Sequence, residues 1–368
     1  MAPFFFALLT SLLLTILIVR STHLHGNFSH DHADGGPQKF HVHPTPRIGG
    51  ISIFIGWIVG MVIAWWKDWM ANEMWWLVVA TLPILTAGLT EDITKLVSPK
   101  WRLIFAFLAA ALGFWLLGAE IRRLDIVWLD ALLVRTPFSL ALTVFAVGGV
   151  SHAVNIIDGY NGLAAMVVLM VVGALGYVCL ALNDWSLLSV CLTMAGATIG
   201  FLALNYPKGL IFAGDGGAYL WGFVIAEIAV LLVIRHPEVS AWFPLVLMIY
   251  PIWETLFSVY RRSILRRNAP GLPDSLHLHQ LAYLRLVRWM IGSHEARHKV
   301  RRNSMTSPYL WAVALLTIAP TLIFWKNTLV LMSIAVVFVF FYVWLYWRII
   351  RFRAPRYLIL RRKPDDAG

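Results

Sequence analysis

The chain has 368 residues, 60% hydrophobic and 13% charged, with 18 tryptophans, a mean hydropathy of +0.74 and a formal charge of +11. Soluble domains are nearer half apolar and about a quarter charged, so a water-soluble globule is excluded and a polytopic membrane protein indicated. Basic residues set among apolar runs suit anionic lipid headgroups, and nucleic acid is a poor competitor for them.

Apolar runs of about 17–22 residues, long enough to cross the hydrocarbon as helices, recur along the chain, and about eleven are expected. They fall near 2–19, 48–66, 75–90, 101–119, 137–154, 162–182, 185–205, 217–234, 241–260, 308–325 and 328–347. The first run has no basic n-region or small-residue cleavage site and is followed by Arg20, so it reads as a retained helix and not a signal peptide. Gly56 and Gly60 in the second run form a GxxxG pair, assigned to helix packing. The third run is short and is expected to tilt or to thin the bilayer. Cys179 and Cys191 sit inside predicted helices and read as small buried hydrophobes, neither disulfide nor metal ligand.

Orientation follows from the basic residues, which stay on the cytoplasmic side of short loops. With the N-terminus outside, only Lys67, Arg122, Arg123, Arg135, Arg235 and Lys326 face outward, leaving about 24 of the 30 Lys and Arg residues inside. The expected fold is an all-α polytopic membrane protein, N-terminus outside and C-terminus cytoplasmic, with residues 1–347 in the membrane unit and 348–368 a basic tail. That tail and the loop from Arg261 to Arg302 are the candidate contacts for anionic lipid.

In this topology the unusual polar residues share one face. The first cytoplasmic loop carries GPQKFHVHPTPRIGG, with Lys39; the next carries GLTEDITKLVSPKW, with Glu91, Asp92 and Lys95. HAVNIIDGYNGLA follows, with Asn155, Asp158 and Asn161, then NYPKGLIFAGDGGAYLWG, with Asp215, and finally RRSILRRNAPGLPDSLHLHQL, with Arg261, Arg262, Asp274, His277 and His279. Each has a bland reading: a solvated charge cluster for Glu91, Asp92 and Lys95, a turn for Asp215, and a helix end at Asp158 with Asn161 capping the next helix. The six histidines from His23 to His43 are irregularly spaced and read as solvated or as adventitious metal binders. A carboxylate near a bilayer, however, costs roughly 2.5–3.5 kcal/mol and needs a partner. Carboxylate oxygens suit Mg²⁺, and arginine and histidine donors suit phosphate, so the set as a whole describes a diphosphate–metal site at the inner surface.

Together these motifs resemble the polyprenyl-phosphate N-acetylhexosamine-1-phosphate transferases, a glycosyltransferase family 4 group, over roughly Gly36 to Arg288. The family's acidic pair corresponds to Glu91-Asp92, with Lys95 in register; its NxxDGxDGLA motif to NIIDGYNGLA, with Asn161 for the second Asp; its GDxGS motif to GDGGA, with Ala218 for Ser; and its DxxHxH motif to Asp274, His277 and His279. His152 stands where an Asn often precedes Asn155. The unextended HxHQ is closer to the GlcNAc-1-phosphate transferase branch than to the phospho-MurNAc-pentapeptide branch.

The resemblance implies transfer of a sugar-1-phosphate from a UDP-N-acetylhexosamine to undecaprenyl phosphate at a bacterial inner membrane, releasing UMP in the first membrane step of a cell-envelope polysaccharide. It implies Mg²⁺, with Mn²⁺ as an alternative, held by Asp215. Glu91, Asp92, Asp158 and Asp215 would be the catalytic residues, and Lys39, Lys95, Asn155, Asn161, Arg261, Arg262, His277 and His279 would bind substrate. Direct attack and a covalent aspartyl-phosphate route both stay open, as does a homodimer. The rival readings are a secondary transporter and an altered family member that scaffolds glycan assembly.

Overall fold

The computed structural model describes residues 1–31, 45–265, 276–287 and 299–351. Among these residues ten helices are long and apolar enough to cross a membrane. They are α1 (Ala2–Arg20), α3 (Gly49–Trp66), α4 (Trp75–Thr94), α5 (Pro99–Leu117), α7 (Thr136–Ile157), α8 (Leu163–Ala181), α9 (Trp185–Asn205), α10 (Gly214–Arg235), α14 (Lys299–Ile323) and α15 (Thr328–Ile350). Shorter helices are α2 (Thr22–Ser29), α6 (Val127–Leu133), α11 (Trp242–Leu247), α12 (Ile249–Tyr260) and α13 (Leu278–Leu281). A two-residue antiparallel strand pair joins His30–Asp31 to Thr45–Pro46.

Two expectations are corrected. The run at 241–260 is not one continuous span but α11 and α12, broken at Met248. Pro251 has no N–H to offer the Leu247 carbonyl and its ring crowds that oxygen, which weakens the helix at this turn. The run at 75–90 is not short, because its polar continuation stays helical to Thr94 and ends where Lys95 adopts a left-handed φ of 57°. Glu91 and Asp92 therefore belong to the last turn of a helix and not to a loop.

Helix α10 is the centre of the bundle, packed by α3, α4, α5, α7, α8 and α9 and 89% buried over its spanning window. A helix apolar on every side belongs inside the protein, whereas α1 and α5 turn most of their surface outward. Close approach at one end of α10 depends on missing side chains. A Cβ on Gly88 of α4 would come within 2.6 Å of the Gly216 backbone, and Gly50 of α3 meets Gly217 in the same way. The GxxxG pair packs as expected, Gly56 on Ala7 and Ser11 of α1, Gly60 on Ala7 and on Thr193 of α9.

Alternating helix directions bring the end of α4, the start of α5, the end of α7 and the start of α10 to one membrane face. At the opposite face Asp125 accepts hydrogen bonds from Thr328 Oγ1 at 2.7 Å, the Ala241 N–H at 3.0 Å and Arg123 at 2.8 Å, so one carboxylate ties three connections together. Since backbone cannot give way at Gly88, Gly88→Ala is expected to lower stability by about 1–3 kcal/mol. Gly149, whose Cβ position is open, should tolerate alanine; thermal unfolding of the two variants in phospholipid nanodiscs checks the contrast.

Candidate active site

Asp92 is fully buried, and both of its oxygens are engaged by one helix terminus. Oδ1 accepts the Asp215 N–H at 2.8 Å and Oδ2 the Gly216 N–H at 2.9 Å. The first N–H groups of a helix lack partners within it and carry partial positive charge, so an anion placed there satisfies two donors at once. Gly214 makes this possible. Its φ is +71°, and a Cβ there would collide with the Arg47 carbonyl and with Asp92 Oδ2.

Asp215 therefore stands in the first turn of α10, directly above the carboxylate that caps it. Its Oδ1 accepts from Asn155 Nδ2 at 3.1 Å and lies 3.4 Å from the Arg47 guanidinium, and its Oδ2 is ion-paired with Arg102. Arg47 also lies 3.7 Å from Asp92 Oδ1. Two carboxylates at such short range repel in a low-dielectric setting, and the two guanidiniums supply the compensating charge. One turn further along α10, the Tyr219 hydroxyl meets His152 Nδ1 at 3.4 Å.

Asp158 caps the C-terminal end of α7, one turn after Asn155, within reach of the charges of Arg47 and Asp215. Burial pushes its carboxyl up to about 7, Arg47 pulling it down and Asp215 adding to the rise. His279 reaches the same turn: its ring packs on Tyr160 at 5.6 Å, and a Cβ on Gly159 would lie 3.3 Å from its Nε2. His277 stacks on His279 with ring centroids 5.1 Å apart. Behind them is Glu254 of α12, 1% exposed, which accepts from His277 Nδ1 at 3.0 Å, the Leu278 N–H at 2.9 Å and the Tyr342 hydroxyl at 2.7 Å.

Other expected residues stand apart from the acidic pair. Glu91 turns back to accept the Val97 N–H at 2.8 Å and so shapes the turn after α4, with the Lys95 side chain exposed there. Asn161 does not cap α8, whose N-cap is Gly162. It is buried, its N–H donating to Asn303, its side-chain amide to the Pro207 carbonyl, and its carbonyl accepting from Ser307. Arg261 donates to the Leu276 carbonyl and the Tyr346 hydroxyl, both at 2.8 Å, with Arg262 half-buried beside it. Lys39 and Asp274 lie outside the described residues.

The donor chemistry suits a hard divalent cation at Asp215. Such an ion takes one or two carboxylates and completes its shell with water or phosphate, and Asp215 Oδ2, paired with Arg102, keeps a second lone pair to give. Among the described residues, Glu254, His277 and His279 also bring one ligand atom each within 4.8 Å of one another.

Sequence reasoning missed Arg47, Arg102, Tyr219 and Glu254. Arg47 lay within the quoted PTPRIGG stretch, where Lys39 was preferred. Arg102 was absorbed into a predicted span. Glu254 had a usable signal, being an acid within an apolar run.

Comparison with known proteins agrees with this geometry. Residues 74–233, from just before the start of α4 to near the end of α10, match the family model "Glycosyl transferase family 4". Among curated relatives, a probable undecaprenyl-phosphate N-acetylglucosaminyl 1-phosphate transferase of Bacillus subtilis is 28% identical over 66% of this chain and 66% of its own length. Phospho-N-acetylmuramoyl-pentapeptide-transferases are similar too: 28% identity in Vesicomyosocius okutanii, over 51% of this chain and 60% of the relative, and 26% in Lactobacillus acidophilus, over 61% and 74%. The chain thus spans 66% and 60% of the length of the first two, less than two thirds of each.

A carboxyl raised to about 7 carries its proton below that pH and sheds it above. Because the folded value exceeds the ordinary one, this group favours the folded state at lower pH and loses that contribution as pH rises through about 7. Infrared difference spectra across this pH, without added metal, should show loss of a protonated-carboxyl band that is missing in Asp158→Asn.

Proposed function

We propose that this multi-pass membrane protein transfers an N-acetylhexosamine-1-phosphate from a UDP-sugar to undecaprenyl phosphate, releasing UMP, on the cytoplasmic side of a bacterial inner membrane. The observation that carries this reading is the Asp215 carboxylate held between Arg47, Arg102 and Asn155 at the membrane-face end of the largely buried α10. A lipid phosphate at headgroup depth and a water-borne nucleotide can both reach such a place. The slightly stronger similarity to the N-acetylglucosaminyl relative favours N-acetylglucosamine as the sugar.

A phosphate oxygen of the lipid attacks the sugar-proximal phosphorus, a new P–O bond forms, and the bond to UMP breaks. The second pKa of a phosphate monoester is about 6, so the nucleophile is already mainly dianionic at neutral pH and needs no strong base. Bringing anions together is the difficulty, and fixed positive charge is the remedy. Arg47 and Arg102 are placed to take non-bridging phosphate oxygens, and His279 and Asp158 flank the same space. Asp92, with both oxygens committed to α10, acts as a positioning residue for Asp215. Bound to Asp215, Mg²⁺ or Mn²⁺ would supply Lewis-acid neutralisation of the diphosphate.

Asp215→Asn is expected to abolish exchange of labelled UMP into UDP-sugars in membranes while leaving the unfolding temperature unchanged. Arg102→Gln should lower exchange on the order of 10²-fold or more, as removal of one preorganised charge stabiliser does elsewhere. Normal exchange in both variants overturns the assignment, and a panel of UDP-sugars identifies the donor.

A further inference from the structure

At the opposite membrane face a second cavity is built from segments the transfer reaction does not use. It has a volume of about 770 Å³, within the usual range for small-molecule sites. The 22 residues of α10 separate the two faces by roughly 33 Å. The wall carries three tryptophans, Trp65, Trp69 and Trp185, which are 46%, 37% and 54% exposed. Between them lie Asp68, Glu73 and Asn183.

The frame around this cavity is fixed by hydrogen bonds. Trp65 Nε1 donates to Asn72 at 2.6 Å, the Ala71 N–H to Ser186 Oγ at 3.1 Å, and Ser189 Oγ to the Trp69 carbonyl at 3.2 Å. Asp68 and Asn183 both hold left-handed φ values of 56°, which turns the chain sharply at each rim. Asp184 accepts from its own helix at Leu187 and meets His236 at 3.1 Å and Arg235 at 3.6 Å, while Arg235 also reaches Glu73 at 3.6 Å. Tryptophans of a membrane belt turn their rings to lipid headgroups. Here three of them flank a concavity whose remaining lining is mostly amide and carboxylate.

The chemistry narrows the occupant. Carboxylates outnumber cations along the lining, the single guanidinium of Arg235 being shared between Asp184 and Glu73, which disfavours phosphates and other anions. What remains suits a neutral molecule with an apolar face for indole and a rim of hydroxyls for amides and carboxylates, which is the make-up of a pyranose ring. We propose that this pocket binds a neutral carbohydrate unit on the membrane face opposite the acidic cluster.

The test uses the full-length protein in phospholipid nanodiscs, free of glycoside detergent, with saturation-transfer NMR on methyl glycosides and short neutral oligosaccharides of glucose, galactose and N-acetylglucosamine. At least one sugar should receive saturation, with binding about tenfold weaker in Trp185→Ala and in Asp68→Asn and unchanged in Asp215→Asn. Tenfold corresponds to about 1.4 kcal/mol. Both outer-face variants should keep their unfolding temperature and their UMP exchange, which separates this site from the transferase site. The proposal is overturned if no sugar in the panel is saturated, if saturation survives both variants, if Asp215→Asn abolishes it, or if tetramethylammonium binds in place of the sugars.

Discussion

The contact between Asp92 and the first turn of α10 is the constraint on which the acidic cluster depends. One carboxylate takes two backbone N–H groups of the most enclosed helix, and so fixes the height and rotation of α10 against α4. Asp215 follows rigidly, because the N–H that Asp92 accepts is its own. Every other feature of the site accommodates this junction: the left-handed Gly214 that leaves room for it, the absent side chains where α3 and α4 cross α10, and the two arginines that offset a pair of neighbouring negative charges.

Electrostatics and packing are thereby the same problem. Asp92 would be costly beside Asp215 were it not seated at the positive end of a helix, and that helix end would have unsatisfied donors without it. The arrangement explains why two acids adjacent in sequence have separate tasks. Asp92 faces inward to the bundle, while Glu91, a residue away on the same helix, bends back to the Val97 amide and shapes the connection into α5. The histidines reach the site differently, through Glu254, which organises His277 and the start of α13 from behind.

Much of this was legible in the sequence. Spans follow from length and hydropathy, which depend on local composition, and the clustering of acids on one face follows from counting spans. The helix-packing role of Gly56 and Gly60 was legible for the same reason. Less legible were properties that depend on partners distant in the chain. Asn161 looks like a helix cap by position, yet its partners are Pro207, Asn303 and Ser307, which no local pattern connects to it. Arg47 and Arg102 were hidden because a basic residue beside a span is ordinary until its acid is known. The break at Met248 could have been read from Pro251, whose effect falls on the preceding turn.

The Asp125 knot has a consequence for how this bundle can move. Its carboxylate joins the connections that precede α6, α11 and α15, while at the far end Asp92 locks α4 to α10. A molecule laced at both poles resists the rocking of one half against the other that alternating access demands. Chemistry carried out at a stationary surface, with reactants arriving from lipid and from water, asks for no such pivot.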